Sequence, residues 1–249
     1  MRIAILSDIK SNVYALEEVI KDMENKNVEH MINLGDSFYG PIAPRETFDL
    51  LQKHKFITVC GDEDRKILEA SLDHLKNDSL LKFVYEDLKE EVLYWIQDLP
   101  FEKFLNEDVY FTHGTQHDDS KYLLEDVSSG QAVLRNEKEI IKLIDDVESK
   151  FVLCGHSHKA RCVNLSNGQV VINPGSIGLQ AFKSYNPCSH NIENLSPKAS
   201  YIILDINKNE YNIVLHSVSY DYKKAINKAN IRDEKAWAYA LEYAKVLED

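Results

Sequence analysis

Five short apolar runs each stop at a residue able to bind a metal ion or move a proton. "RIAIL" leads to Ser7-Asp8, "HMINL" to Gly35-Asp36, "FITVC" to Gly61-Asp62, "VYF" to Thr112-His113, and "FVLC" to Gly155-His156, with His158 beyond it. Each run has the length and the β-branched or aromatic content of a buried strand. In an open parallel sheet the carboxyl ends of the strands gather at one edge. Asp8, Asp36, Asp62, His113, His156 and His158 can therefore meet despite their separation along the chain. Carboxylates mixed with imidazoles suit Mn, Fe, Zn or Ni, whereas Mg and Ca prefer shells of oxygen alone. Two such ions ~3.5–4 Å apart, sharing a carboxylate, would activate water and clamp a phosphoryl oxygen for in-line displacement.

Those strand ends need elements to hold them. Amphipathic spacing predicts helices over Tyr14–Glu24 and Glu46–His54, between the first three strands, which is the alternation of an α/β fold with a largely parallel sheet. Residues 65–99 carry a helical pattern closed by Pro100, and two or more helices are expected to cover one face. Asn167-Gly168, flanked by alternating apolar residues, predicts a two-residue hairpin turn, and Ser200–Val218 reads as a second hairpin. The segment Gly178–Ser200 has neither period and is long for a structureless connection, a property of functional loops. Residues 222–247 read as one C-terminal packing helix, and no linker divides residues 1–249, so a single domain is expected.

With 44% hydrophobic and 28% charged residues the composition is that of an ordinary globular protein, and no apolar run approaches the ~20 residues that span a bilayer. The N-terminus lacks a signal-peptide pattern, and the four cysteines show no C-x-x-C spacing, so the expectation is a cytoplasmic protein without a membrane partner or disulfides. A net charge of −12 without clustered Lys or Arg excludes a stable nucleic-acid surface and requires a local cation for any bound phosphate. A homo-oligomer is compatible with this composition.

In order and placement, "SDIK", "LGDSFYGP", "CGDEDR", "THG" and "GHSH" resemble the motifs of the calcineurin-like metallophosphoesterases, especially their compact bacterial and archaeal members. That family shows Asp-x-His, Gly-Asp, Gly-Asn-His-Asp/Glu, a lone His and Gly-His-x-His, each after a strand. The resemblance runs from Arg2 through "NPGSIG" at Asn173–Gly178. It implies a four-layer α/β/β/α sandwich of the metallophosphoesterase type and a metal-dependent phosphoesterase acting on a small phosphorylated or nucleotide substrate. By the same resemblance Asp36 bridges two ions. His113, His156 and Asp62, which stands where the family has Asn, complete one site. Asp8 and His158 match ligands of the other, where Lys10 replaces the family's His.

An ammonium cannot coordinate a metal, and deprotonating lysine is costly against its usual pKa of ~10.4, so one or two ions, with one firm site, are expected. Glu63 replaces the family His that lies near the leaving group; a carboxyl beside divalent cations favours its ionised form and would be a poor proton donor. Asp64 matches the family's acidic supporting position. Asp36, Asp62 and His113 are the expected catalytic residues, with Lys10, Asn12 and Arg65, and also Lys183, recognising the substrate anion; Arg65 reads equally as a structural cation near the mouth.

Other residues have plainer readings. His30, His54, His74, His190 and His216 read as ordinary surface or core side chains, while His117 and Tyr39 are candidates to line the pocket. Ser176 does not sit in a G-x-S-x-G elbow and reads as part of a turn. The rival functional reading is a non-catalytic or weakly active metal- or nucleotide-binding protein on the same scaffold, motivated by Lys10, Asp62 and Glu63.

Overall fold

Alternation of side chains along the strands determines the layering in the computed structural model, which describes residues 1–208 and 210–248. In β1 (Arg2–Leu6), Ile3 and Ile5 point into one core while Ala4 and Leu6 point into another. A strand buried on both faces must be covered on both. β1 pairs in parallel with β2 (His30–Asn33), which pairs in parallel with β3 (Phe56–Thr58). On the other side of β1 lie the antiparallel β13 (Ala199–Asn207) and β14 (Glu210–Val218).

The second five-stranded sheet runs in the order β4 (Glu102–Asn106), β5 (Val109–Thr112), β8 (Phe151–Leu153), β10 (Val170–Pro174), β9 (Ala160–Asn164). Its central three strands are parallel. Val109, Phe111, Phe151, Leu153, Val170 and Ile172 meet the first sheet across a shared core, and Tyr110, Val152 and Val171 face the other way. Full burial of each such side chain contributes ~1.5–3 kcal/mol.

Helices α1 (Val13–Glu24), α2 (Pro44–Leu51), α3 (Asp62–Leu68), α4 (Leu72–Asn77) and α5 (Ser79–Gln97) cover the first sheet. The short α6 (Glu137–Lys142) and the small pair β6 (Glu125–Asp126) and β7 (Val133–Leu134) lie with the outer face of the second. The four-layer α/β/β/α sandwich is thereby formed. Residues 65–99 contain the expected helices, although α5 is interrupted at Lys89, with φ 62° and ψ 171°.

Three expectations change. The C-terminal stretch forms two helices, α7 (Tyr222–Ile231) and α8 (Lys235–Tyr243), because the chain turns at Asp233, whose φ is 59°. The Asn167-Gly168 turn is three residues long: Leu165 and Gln169 close it, and Gly168, at φ 91°, follows an i to i+3 bond from its N–H to the Leu165 carbonyl. The segment Gly178–Ser200 is not structureless but contains a hairpin, β11 (Ala181–Ser184) and β12 (His190–Glu193), packed against α8. Among the described residues, no helix is long and apolar enough to cross a membrane.

Candidate metal centre

The predicted strand ends converge, but from two sheets. Asp8, Asp36 and Asp62 follow β1, β2 and β3, whereas His113, His156 and His158 follow β5 and β8. Asp8, Asp36, His156 and His158 all have left-handed backbone, with φ of 55°, 56°, 66° and 56°. Non-glycine residues adopt this region at a cost of order 1–3 kcal/mol, sustained where surrounding structure over-determines it. Here the turn after each strand directs its side chain back over the sheet edge.

Two glycines make the approach of the loops possible. Gly35, at φ 97°, lies so close to the β3 loop that a Cβ would stand 2.6 Å from the Gly61 nitrogen. A Cβ on Gly61 would collide with the Asp36 carboxylate itself. Asp64 then binds the loops together: its Oδ2 accepts from the Asp36 N–H at 2.8 Å and its Oδ1 from the Ser37 N–H at 3.0 Å.

Asp36, Asp62, His113 and His156 each offer an atom such that all lie within 4.8 Å of one another. His113 Nδ1 is 2.7 Å from the Leu34 carbonyl, to which it must donate. Its Nε2 therefore faces the carboxylates, 3.1 Å from Asp62 Oδ1 and 3.5 Å from Asp36 Oδ2. His156 Nδ1 lies 3.0 Å from the same Asp62 oxygen. His113 Nε2 and Asp62 Oδ1 are buried yet form no hydrogen bond. Buried polar atoms are nearly always satisfied, so two such orphans in one cluster fit a cation-binding site. Burial disfavours charge on His113, but Asp36, Asp62 and Asp8 raise its pKa well above the ordinary value. Burial likewise opposes ionisation of Asp62, and His156 with His113 outweighs it, holding the carboxyl well below its usual range. The cluster demands positive charge, which a divalent ion supplies to neutral imidazoles and ionised carboxylates.

The other half differs. Lys10 Nζ lies 2.5 Å from Asp36 Oδ2 and 3.9 Å from Asp8 Oδ1, and is paired with Glu63. His158 donates from Nδ1 to the Leu179 carbonyl at 2.6 Å and turns Nε2 to Asp8 Oδ1 at 3.2 Å. Burial works against the Lys10 charge, but Asp36, Glu63, Asp8 and Asp62 hold its pKa well above the usual value. For Glu63, expected to be ionised, burial pushes the carboxyl up to about 7; Lys10 opposes this, while Asp36 and Asp62 add to it.

A cavity of about 330 Å³ opens over the cluster, bordered by Lys10, Asp36, Asp62, Glu63, His156 and His158. Tyr39 and Lys183 also line it, as the sequence suggested. Two expected anion binders are committed elsewhere. Asn12 is buried as the N-cap of α1, accepting from the Ala15 N–H at 3.2 Å and donating to the Gly178 carbonyl at 3.0 Å. Arg65 is clasped by both Asp119 oxygens at 2.7 and 2.8 Å. His117 is exposed beside Asp145 and Asp146 and is not among the cavity's walls. Sequence reasoning missed Tyr122, Phe182 and Trp237, which line the cavity. Tyr122 packs its ring 4.6 Å from that of His156 and lies 3.0 Å through its hydroxyl from His190 Nε2. Only its place in the apolar stretch "YLL" signals it.

The family model of the calcineurin-like phosphoesterase superfamily domain matches residues 1–209. An uncharacterized protein of Methanocaldococcus jannaschii is 29% identical over 239 residues, covering 91% of this chain and 90% of that protein. A metallophosphoesterase structure from Sphaerobacter thermophilus superposes with a TM-score of 0.75 at 20% identity, covering 98% of this chain and 100% of the other. A hypothetical protein from Pyrococcus horikoshii gives 0.73 at 18% identity, covering 97% of each chain. At these identities the structural likeness speaks to the fold.

Proposed function

The chain belongs to the calcineurin-like phosphoesterase superfamily, and from that premise we propose a metal-dependent phosphoesterase that hydrolyses a phosphate ester or a nucleotide-type phosphoanhydride. The family normally binds divalent metals, and Asp36, Asp62, His113 and His156 have the donor set to hold one, with Mn, Fe, Zn or Ni the suited ions. Such an ion supplies Lewis-acid charge for a phosphoryl oxygen and lowers the pKa of water. The observation that carries the reading is a pair of buried atoms without a hydrogen bond, His113 Nε2 and Asp62 Oδ1, 3.1 Å apart beside a cavity that Asp62 lines.

The chain's own residues do the rest. Asp36 presents one oxygen, Oδ2, to both His113 and Lys10, so that it joins the two halves of the site. The Lys10 ammonium attracts a phosphate oxygen and replaces part of a second ion's charge, without its Lewis acidity. Lys183, on the cavity wall, adds a further cation for the substrate anion. Tyr122 and Phe182 wall the site. The four cysteines are unpaired, which fits a cytoplasmic setting.

The test is turnover of p-nitrophenyl phosphate and bis-p-nitrophenyl phosphate after stripping with EDTA and reloading with Mn, Ni or Fe. Metal-stimulated release of p-nitrophenol that disappears in His156→Ala is the expected result. Bound metal without turnover of either ester favours the rival reading, a metal- or nucleotide-binding protein, for which the ammonium of Lys10 among Asp8, Asp36 and Glu63 is the motivating observation.

A further inference from the structure

Beside the metal centre lies a second, larger cavity of about 490 Å³, whose walls do not include any candidate ligand. The two cavities share Ser120, Tyr122 and Asn186, so they adjoin at Tyr122. Its volume is within the ~300–1,000 Å³ of small-molecule sites, more than a phosphoryl group alone requires.

The walls of the second cavity are mixed in a particular way. Tyr122, Val127 and Pro187 supply flat or apolar surface, Ser128 and Asp126 supply hydrogen-bonding groups, and the cations of Lys121 and Arg135 are matched by the carboxylates of Asp118 and Asp126, Arg135 also pairing with Glu139 at 3.5 Å. Arg135 is fixed by its Nη2, which donates to the carbonyls of Tyr122 at 3.2 Å and Glu125 at 2.6 Å. Its Nε is buried and has no acceptor among the described residues. Tyr122, the shared wall, is anchored on both sides, by His156 against its ring and His190 at its hydroxyl. A rigid aromatic divider is suited to stacking, because it loses little freedom on binding.

We infer that the second cavity is a nucleoside-binding subsite of the proposed phosphoesterase, so that its substrate is a nucleotide ester or anhydride. The reacting phosphate sits over Asp36 and His156, and the nucleoside passes Tyr122 to lie against Val127 and Pro187, with its polar edges toward Ser128 and Asp126. This rests on the proposed function, and it adds a substrate class that the metal ligands do not determine.

The experiment compares two diesters with the same leaving group, thymidine p-nitrophenyl phosphate and methyl p-nitrophenyl phosphate, on the metal-loaded protein. Ser128 is on the exposed rim of the second cavity, so Ser128→Trp fills that space without disturbing the core. The thymidine ester should be the better substrate. In Ser128→Trp, kcat/KM for it should fall about tenfold through steric exclusion, with the methyl ester within about twofold. Equal losses on both esters, or none on either, overturn the subsite. Should the unmodified protein hydrolyse neither ester, the catalytic reading fails, and the subsite is judged by calorimetric titration with thymidine monophosphate. Binding weakened by Ser128→Trp supports it. Binding unchanged by the substitution, or absent from the unmodified protein, overturns it.

Discussion

Asp36 Oδ2 looks two ways, with His113 Nε2 at 3.5 Å on one side and Lys10 Nζ at 2.5 Å on the other. Toward His113 it shares a cluster with Asp62 and His156 in which two buried atoms form no hydrogen bond and no ammonium enters. Toward Lys10 it shares a cluster with Asp8, His158 and Glu63 in which Asp8 Oδ1 also lacks a hydrogen bond but an ammonium supplies the positive charge. Both halves use strand-end turns in left-handed backbone, at Asp8 and His158 as at Asp36 and His156. The scaffold is thus symmetric in construction and unequal in chemistry. Lys10 makes one half an ion-pair cluster, while the turns that carry the side chains of both halves share one backbone conformation.

The largest expected effect tests the half read as a coordination site. His156→Ala should release the ion and lower turnover by more than the ~10–100-fold typical of losing a group that merely supports a ligand. Its side chain is 15% exposed, so the protein should stay folded. His113→Ala should lose metal equally but also leave the Leu34 carbonyl unpaired, costing ~1–3 kcal/mol of stability. Elemental analysis that finds full metal occupancy in His156→Ala breaks the comparison at its stronger half.

Lys10 tests the other half. Lys10→Met leaves Asp8, Asp36 and Glu63 without their buried cation, and loss of one partner of a buried pair costs ~3–5 kcal/mol. Thermal melting in EDTA should fall accordingly, and added Mn should restore much of the loss by entering the vacated half. Lys10→His should raise metal stoichiometry from one toward two per chain, because a neutral imidazole coordinates where an ammonium cannot. Melting unchanged in Lys10→Met means that Lys10 does not neutralise this cluster.

Much of this was legible because Asp8, Asp36, Asp62, His113 and His156 each stand two residues beyond a short, largely apolar run, and such a run has few alternatives to a buried strand. Asp8, Asp36, Asp62 and His113 are named by that rule alone. The division of the runs between two sheets was not legible from spacing, since β1 and β8 carry the same pattern; the family resemblance supplied it. Asn12 stands just before α1, where Asn is a favoured cap, and its side chain is used there. The partner of Arg65 was not legible, because Asp119 is 54 residues away and only the fold brings the two together. The turn at Asp233 escaped notice because nothing in "NIRDEK" interrupts helical spacing with Gly or Pro.

A smaller effect concerns how the stronger half is held. Asp64 accepts from the N–H groups of Asp36 and Ser37 and is fully buried. In Asp64→Asn one acceptor becomes an NH2 facing an N–H, so the loop carrying Asp36 should shift. Metal affinity should fall ~10–100-fold, the usual cost of disturbing a ligand's support. A titration showing unchanged affinity means that Gly35 and Gly61 alone position Asp36.

The smallest effect is expected at Glu63, on the Lys10 side, and it distinguishes a counter-ion from a proton donor. In the structure its carboxyl pairs with Lys10, and a bound cation nearby favours the ionised form. Glu63→Gln should therefore change turnover of p-nitrophenyl esters by only about threefold, against the ~10²–10⁴ that a positioned general acid contributes where the leaving group needs a proton. Extending the series to alkyl leaving groups makes the distinction sharp. With no donor, log rate should fall steeply as leaving-group pKa rises, in parallel lines for the unmodified protein and Glu63→Gln. Lines that meet at good leaving groups and diverge at poor ones would assign the proton to Glu63. The Lys10 half would then contribute acid chemistry as well as charge.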